Sequence, residues 1–330
     1  MWWAAGGVAV GLLLAAHAWR RTQARQEVEV GGRGRVVVVT GCDTGIGHQL
    51  ALRARAWGWT VVATCLDPGS SGARDLLQAG VLVVGLDLML PDTFNELLET
   101  LQRLKMERKE LWCLVNNAAV LTYANCEWQT SEMVASQVGV NLMGLIQLTR
   151  TLLPTLRRNK GRVVTVSSPA GQVATPNMTV YCATKWGVEG FTQALRRELA
   201  HTGVSVTLVR PCNLPNRTGI LRNNAVQLRK MQECAAEETL QDYRSTMAEA
   251  ERCFRQAYDS VARVQDLHDD HLLHCFRSAI MSQRPLPTYS AAPLLVRLLL
   301  ALLQHLPTPW VDYLVARDFY NFVLNLARNT

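Results

Sequence analysis

Between Arg35 and Pro211 the chain alternates short β-branched apolar runs with longer amphipathic stretches, and few folds accept that rhythm. The strand-like runs are 35–40, 60–66, 81–86, 111–115, the segment GRVVTVSS that ends at Ser168, and GVSVTLVRP, the last clear strand, which ends at Pro211. The first of them is apolar almost throughout, as a strand buried on both faces requires. Helical periodicity fills the intervals at about 46–57, 91–106, 132–156 and 180–200. A strand–helix repeat of this kind predicts an α/β fold: a parallel sheet wound on both faces by helices, with ligands bound at the carboxyl ends of the strands.

The sheet domain is expected over 31–290, as a single domain. Within it, 216–278 is polar and purely helical in pattern, and is expected to cap the substrate site. The two ends are apolar. Trp2 to Trp19 carries no charge apart from His17, and Arg20, Arg21 and Arg25 follow. That arrangement predicts that 1–30 is an uncleaved N-terminal membrane anchor with a basic flank, leaving the body on the cytosolic side. A cleaved or mitochondrial presequence is the other reading, although such leaders are usually arginine-rich along their length. In 291–330, the run Leu294 to Leu303 is broken by Arg297 and is too short to span a bilayer. Trp310, Tyr313 and Tyr320 suit a membrane interface. Periodicity does not separate a membrane-associated helix here from one that covers the core.

The formal charge is +7, but no lysine or arginine block accompanies it. That pattern fits an anionic cofactor or membrane surface and lacks the clustered footprint of nucleic-acid binding. The nine cysteines are dispersed, odd in number and never arranged as C-x-x-C. They point to a reducing compartment, with neither a disulfide framework nor a zinc site. The stretch His268 to His274 (HDDHLLH) has ligand-type residues pointing several ways and reads as a solvated helix face, so no metal is expected.

Chemistry concentrates in two places. The first strand runs into TGCDTGIG, with Gly41, Gly45 and Gly47 at the strand-to-helix turn. This is the context of a phosphate cradle, although the spacing is not G-x-G-x-x-G. Downstream, Tyr181 and Lys185 in YCATK lie four apart and share one helix face. An ammonium beside a phenol favours the phenolate and lowers the tyrosine pKa, which suits proton transfer during hydride movement. Ser167 and Ser168 end a strand, Asn116 to Ala119 (NNAA) end another, and Asn141 sits inside the long helical stretch.

Taken together, these motifs resemble the short-chain dehydrogenase/reductase family, closely over 31–218. The matches are Thr40 to Gly47, Asp87, Asn116 to Ala119, Asn141, Ser168, Tyr181 and Lys185. The chain looks most like the branch that holds retinol dehydrogenases, type-two hydroxysteroid dehydrogenases and 3-hydroxybutyrate dehydrogenase. The resemblance implies a Rossmann-like fold and a catalytic set of Asn141, Ser168, Tyr181 and Lys185. Tyr181 would be the acid/base, Lys185 would hold the nicotinamide ribose and lower the Tyr181 pKa, Ser168 would orient substrate oxygen, and Asn141 would hold a relay water. It implies cofactor contacts from Gly41, Thr44, Gly45, Ile46, Gly47, Asp87, Asn116, Ala118, Tyr181, Lys185, Pro211 and Thr218. Membrane lipid and a small lipophilic alcohol or ketone are the expected partners, and a homodimer stays open.

Two departures stand out. Ala119 replaces the family's glycine, which is tolerable only if φ is negative there. Cys212 replaces the glycine of the P-G motif, and the segment before Thr218 is longer than usual. A catalytically weak, nucleotide-binding membrane scaffold would rest on these two positions. Thr44 and the acidic Asp67 favour NAD over NADP, provided the loop after the second strand turns back toward the ribose. The expected substrate is a steroid or retinoid, with an endoplasmic reticulum location and a cytosolic body. The alternative is mitochondrial oxidation of 3-hydroxybutyrate, which would require cations converging on a carboxylate. The sequons at Asn177 and Asn216 flank the inferred site and are expected to be unused.

Overall fold

A computed structural model describes residues 28–212, 219–259 and 270–316. Residues 1–27 of the expected anchor, Thr218, Asn216, His268 and Tyr320 lie outside the described residues. Seven strands form one sheet: β1 (Arg35–Thr40), β2 (Thr60–Cys65), β3 (Leu82–Gly85), β4 (Glu110–Asn116), β5 (Arg162–Val166), β6 (Ser205–Arg210) and β7 (Thr288–Ser290). Their order is β3-β2-β1-β4-β5-β6-β7, and every neighbouring pair is parallel. The order reverses between β1 and β4, and a crevice opens beyond their carboxyl ends at such a point.

The reason β1 reads as continuously apolar is visible in its packing. Val37 and Val39 enter a core with Phe276, Ala279 and Ile280 of α9 (Asp270–Met281). Val36 and Val38 enter the opposite core, with Leu148, Leu152 and Leu156 of α5 (Leu145–Arg158) and Leu97 of α3 (Phe94–Met106). A strand covered on both faces has no solvent side on which to alternate. The helix α9, which falls at the end of the stretch read as a polar cap, belongs to the first of these cores.

Three elements differ from the sequence reading, the first being α2 (Ser71–Gln78), a helix of eight residues between β2 and β3. The helical stretch after Ser131 is not one regular helix: α4 (Ser131–Val138) and α5 are joined by a π-turn over Gly139–Gly144. That turn contains Asn141, and such widenings concentrate at functional positions. β7 was missed because it is only three residues long and closely follows Pro285 and Pro287, so it carries no periodic signal. Among the described residues no helix is long and apolar enough to cross a membrane.

At the carboxyl end, α10 (Leu294–Leu303) is two-faced. Val296, Leu300 and Leu303 are buried with Val173 and Cys212, whereas Leu294, Leu295, Leu298 and Leu302 are exposed. Trp310 and Tyr313 of α11 (Thr308–Ala316) are 67% and 61% exposed.

Candidate active site

The glycine turn is built by main-chain geometry. Gly41 and Gly45 have φ of 67° and 65°, in the left-handed region where a side chain is strained. A Cβ at Gly47 would lie 2.3 Å from the Gly41 carbonyl oxygen. The turn opens α1 (Gly45–Ala56), whose first turn carries no acidic residue. Thr44 stands at its N-cap in extended conformation, and its hydroxyl makes no capping bond.

Three polar side chains, all within the matched motifs, brace this turn. Thr40 Oγ1 accepts from the amides of Asn117 and Ala118, both at 3.0 Å. Asn117 Nδ2 donates to the carbonyls of Thr40 and Gly41, at 2.8 and 3.2 Å. The Asp43 carboxylate accepts from the amides of Leu66 and Asp67, at 3.0 and 2.9 Å. Asp43 thereby holds the end of β2 against the glycine turn.

A cleft of about 740 Å³ runs from this turn to the catalytic helix. Gly41, Thr44, Ile46, Asp67, Asp87, Ala118 and Pro211 all line it. The loop after β2 does turn back, since Asp67 faces the cleft while Cys65 is buried with its thiol pushed up to about 12 by desolvation and the nearby Asp43 and Asp67. Gly45 and Gly47 shape the wall without lining it. Asn116 requires a correction. Its side chain is buried and donates to Thr149 Oγ1 at 2.9 Å, and the neighbouring Asn117 lines the cleft in its place.

The catalytic-type residues converge at the other end. Tyr181 and Lys185 lie near the start of α6 (Thr179–Glu198), with Lys185 Nζ 5.6 Å from the Tyr181 ring centre. The Tyr181 hydroxyl is hydrogen-bonded with Ser168. Ser168 Oγ also accepts from the Ala170 amide at 3.2 Å, which fixes the serine at the head of its turn. Lys185 Nζ donates to the Val166 carbonyl at 3.1 Å. Asn141 is fully buried; its amide pairs both ways with the Val120 main chain at 2.8 Å and donates to Thr184 Oγ1 at 3.2 Å. With the side chain so occupied, a relay at this position has to use other atoms.

The electrostatics correct one expectation. The net shift of the phenol is upward: burial pushes Tyr181 up to about 12, against the lowering effect of the Ser168 hydrogen bond. Burial pulls Lys185 down to about 8, against the raising effect of Glu189. The cause is common to both, since a dry cleft penalises whichever form of each group is charged.

Beneath this pair is a network that the motifs do not announce. Glu189 Oε1 accepts from Ser167 Oγ at 2.8 Å, and its carboxylate takes both arms of Arg210, at 2.8 and 2.7 Å. Tyr181, Lys185 and Glu189 fall at positions i, i+4 and i+8 of α6, so the same-face rule that paired the first two also reaches the third.

The two departures have structural answers. Ala119 is not among the non-glycine residues with positive φ, which among the described residues are Arg108, Lys160 and Asn177. Cys212 is buried and packs with Val173, Val296 and Leu300, tying the end of β6 to α10. Among the described residues there is no group of three or more metal-ligating side chains.

Comparison with known proteins follows the same lines. A family model described as short chain dehydrogenase matches residues 35–227. The chain is 38% identical over 218 residues to the mitochondrial D-beta-hydroxybutyrate dehydrogenase of Rattus norvegicus, a match spanning 64% of this chain and 64% of that enzyme's length. It is 31% identical to the 17-beta-hydroxysteroid dehydrogenase type 6 of Homo sapiens, over 94% of this chain and 95% of the relative. A short chain dehydrogenase/reductase from Burkholderia phymatum in complex with NAD shares the fold, with a TM-score of 0.63 over 80% of this chain and 91% of that one at 23% identity.

Proposed function

The chain belongs to the short-chain dehydrogenase family, and from that membership and the cleft we propose an NAD-dependent oxidoreductase that acts on the hydroxyl or carbonyl group of a lipophilic substrate. The glycine turn fits a dinucleotide: two left-handed glycines and the crowded Gly47 bring bare backbone up to a helix N-terminus without acidic residues. When bound, the nicotinamide supplies the hydride acceptor or donor. Gly41, Thr44 and Ile46 would hold the pyrophosphate on the turn that Gly45 and Gly47 shape, Asp67 the adenosine ribose, and Asp87 and Ala118 the cleft on either side. Lys185 would take the nicotinamide ribose, with Pro211 near the carboxamide. Carboxylates of Asp43, Asp67 and Asp87 line this half of the cleft. They accept from ribose hydroxyls and repel a 2′-phosphate, which favours NAD over NADP.

Tyr181 is the acid/base. Its hydroxyl meets the substrate oxygen beside Ser168, takes the proton during oxidation and returns it during reduction. Phenolate and ammonium are each costly alone in this cleft, but as a pair each offsets the desolvation of the other. Lys185 therefore lowers the cost of the phenolate at the moment it forms. Glu189 and Arg210 hold Ser167 and counterbalance Lys185, as positioning residues.

The observation that carries the substrate class is the lining. Among the described residues, Lys185 is the only cation on the cleft, so a short hydroxy acid finds no second cation for its carboxylate. The substrate half is walled by Leu121, Val173, Met178, Ile220 and Leu300. Leu300 belongs to α10, whose outer leucines, with Trp310, form an exposed apolar face suited to a lipid surface next to the cleft. The cytosolic body follows from the arginines after Trp19, and the endoplasmic reticulum is the proposed membrane. Flotation of the full chain with lipid vesicles tests the lipid surface, and loss of flotation on replacing Leu295, Leu298 and Leu302 by serine is the expected result.

The purified full chain with NAD, steroid alcohols, retinol and 3-hydroxybutyrate tests the activity. Turnover of a lipophilic alcohol is expected, and Tyr181→Phe should lower kcat/KM by about 10³-fold with NADH binding retained. Undiminished turnover in that variant overturns the role of Tyr181, and preference for 3-hydroxybutyrate overturns the substrate class.

A further inference from the structure

The end of β2 presents two main-chain donors that the sheet ladder does not use. The last groups of the strand are paired: the Thr64 carbonyl accepts from the Cys42 amide and the Cys65 carbonyl from the Leu86 amide, both at 2.9 Å. The next two amides converge on one group, the Asp43 carboxylate. Its Oδ2 accepts from Leu66 at 3.0 Å and its Oδ1 from Asp67 at 2.9 Å. Successive amides aimed at one point make a main-chain anion site. Here the anion is a side chain that the glycine turn supplies.

The place of this site in the cleft gives it a ligand. Asp43, Leu66 and Asp67 all line the cleft, and Leu66 and Asp67 are exposed there. In a doubly wound sheet, the carboxyl end of the second strand meets the adenosine ribose, together with the 2′-phosphate of a cofactor that carries one. Asp43 is half-buried and fixed from behind, since a Cβ on Gly72 of α2 would collide with its carbonyl oxygen. Asp67 is less constrained: it is exposed, and its Oδ1 accepts from the Gly69 amide of its own turn at 2.8 Å. Each Asp43 oxygen keeps a lone pair beyond the amide it already accepts, so a hydroxyl donor still finds an acceptor. A phosphate brings negative charge and acceptor oxygens, and finds both amides taken.

We propose that Asp43 is the residue that selects NAD over NADP, because its carboxylate fills the main-chain anion site at the end of β2 that a 2′-phosphate would otherwise occupy. The inference rests on the dinucleotide function proposed above and deepens it. Of the three carboxylates on this half of the cleft, it assigns the discrimination to the one that also holds the two amides. Charge and occupancy act together: the phosphate is repelled and has no donor left, whereas a ribose hydroxyl is accepted. Specificity of this kind is built against the competitor rather than for the ligand.

Fluorescence titration of the purified full chain with NADH and with NADPH tests it, because the ratio of the two affinities within one variant cancels any general loosening of the loop. Wild type should bind NADH more tightly by about 100-fold or more. Asp43→Ser removes the charge and vacates the amides, and should narrow that gap by about 10- to 100-fold, with NADPH binding gained outright. Asp43→Asn removes the charge but keeps an acceptor on the amides, and should narrow it less. Asp67→Asn should change it by less than about fivefold, as for an exposed charge. Cofactor-induced shifts in Tm give the same ratio for a variant too unstable to titrate. If Asp43→Ser weakens both cofactors equally, the carboxylate is a brace and the inference is overturned. Asp43→Asn matching Asp43→Ser, or Asp67→Asn exceeding it, overturns it as well. Equal wild-type affinities overturn it while the oxidoreductase reading stands, and a wild type that binds neither dinucleotide takes down both.

Discussion

The two halves of one cleft are made by different means. On the nucleotide side, the wall is backbone: Gly41 and Gly45 in left-handed conformation, Gly47 against the Gly41 carbonyl, and Thr40, Asp43 and Asn117 bonded to main-chain groups. On the substrate side, the wall is side chain: Leu121, Val173, Met178, Ile220, Gln227 and Leu300, drawn from segments far apart in the chain. Backbone recognition needs particular residues at particular spacings, so it leaves a motif. Side-chain recognition needs only shape and a few polar atoms, so many sequences build similar walls and no short pattern marks them.

The sharpest way to break the nucleotide side is Gly47→Ala. The added methyl meets the Gly41 carbonyl oxygen at 2.3 Å and Asn117 Nδ2 at 2.5 Å, both held in the brace. A loss of about 3 kcal/mol or more in denaturant unfolding is expected, together with weakened NADH binding. Full stability in this variant would show that the turn is looser than its bonds imply.

Glu189→Ala tests the floor beneath both halves. It leaves Arg210 without its two-armed partner and Ser167 without its acceptor. A loss of about 3 kcal/mol is expected, as for breaking other buried ion pairs. Glu189 raises the Lys185 pKa, so its removal should also move the alkaline limb of the pH–rate profile to lower pH. A purely structural role would leave that limb unmoved.

A third test uses protons alone. Lys185 is lowered from 10.5 to about 8 on folding. Between these values the unfolded chain binds more protons at this site, so its contribution to stability rises with pH across that window and is lost as pH falls through 8. Unfolding measured on either side of the window should show a gain of about 3 kcal/mol that Lys185→Met abolishes. Tyr181, raised to about 12, acts in the opposite sense only above its ordinary value of 10.

The smallest effect is expected at Ala119→Gly, which restores the residue of the family motif. With no left-handed φ to relieve, glycine only adds unfolded-chain freedom, so stability should fall by about 0.5–1 kcal/mol with turnover unchanged. A large gain in activity would show that the methyl obstructs the cleft.

The legibility of the chain follows the same division. The all-valine run of β1 betrayed a strand covered on both faces, and the fourfold spacing of Tyr181 and Lys185 placed both on one face of α6. Asn116 and Asn117 are indistinguishable as letters; only the loop that follows β4 decided that the second faces the cleft. The π-turn around Asn141 and the three-residue β7 are too short for periodicity to reveal.

What the sequence alone determined is the succession of the first six strands, the glycine turn, and the Tyr181–Lys185 spacing, because local geometry and side-chain period are written in neighbouring residues. Only the tertiary structure decided the sign of the pKa shifts, the Glu189–Arg210 floor and the seat of the Asp43 carboxylate on two main-chain amides. Those depend on burial and on which distant segments meet, and neither is a property of any stretch of chain read by itself.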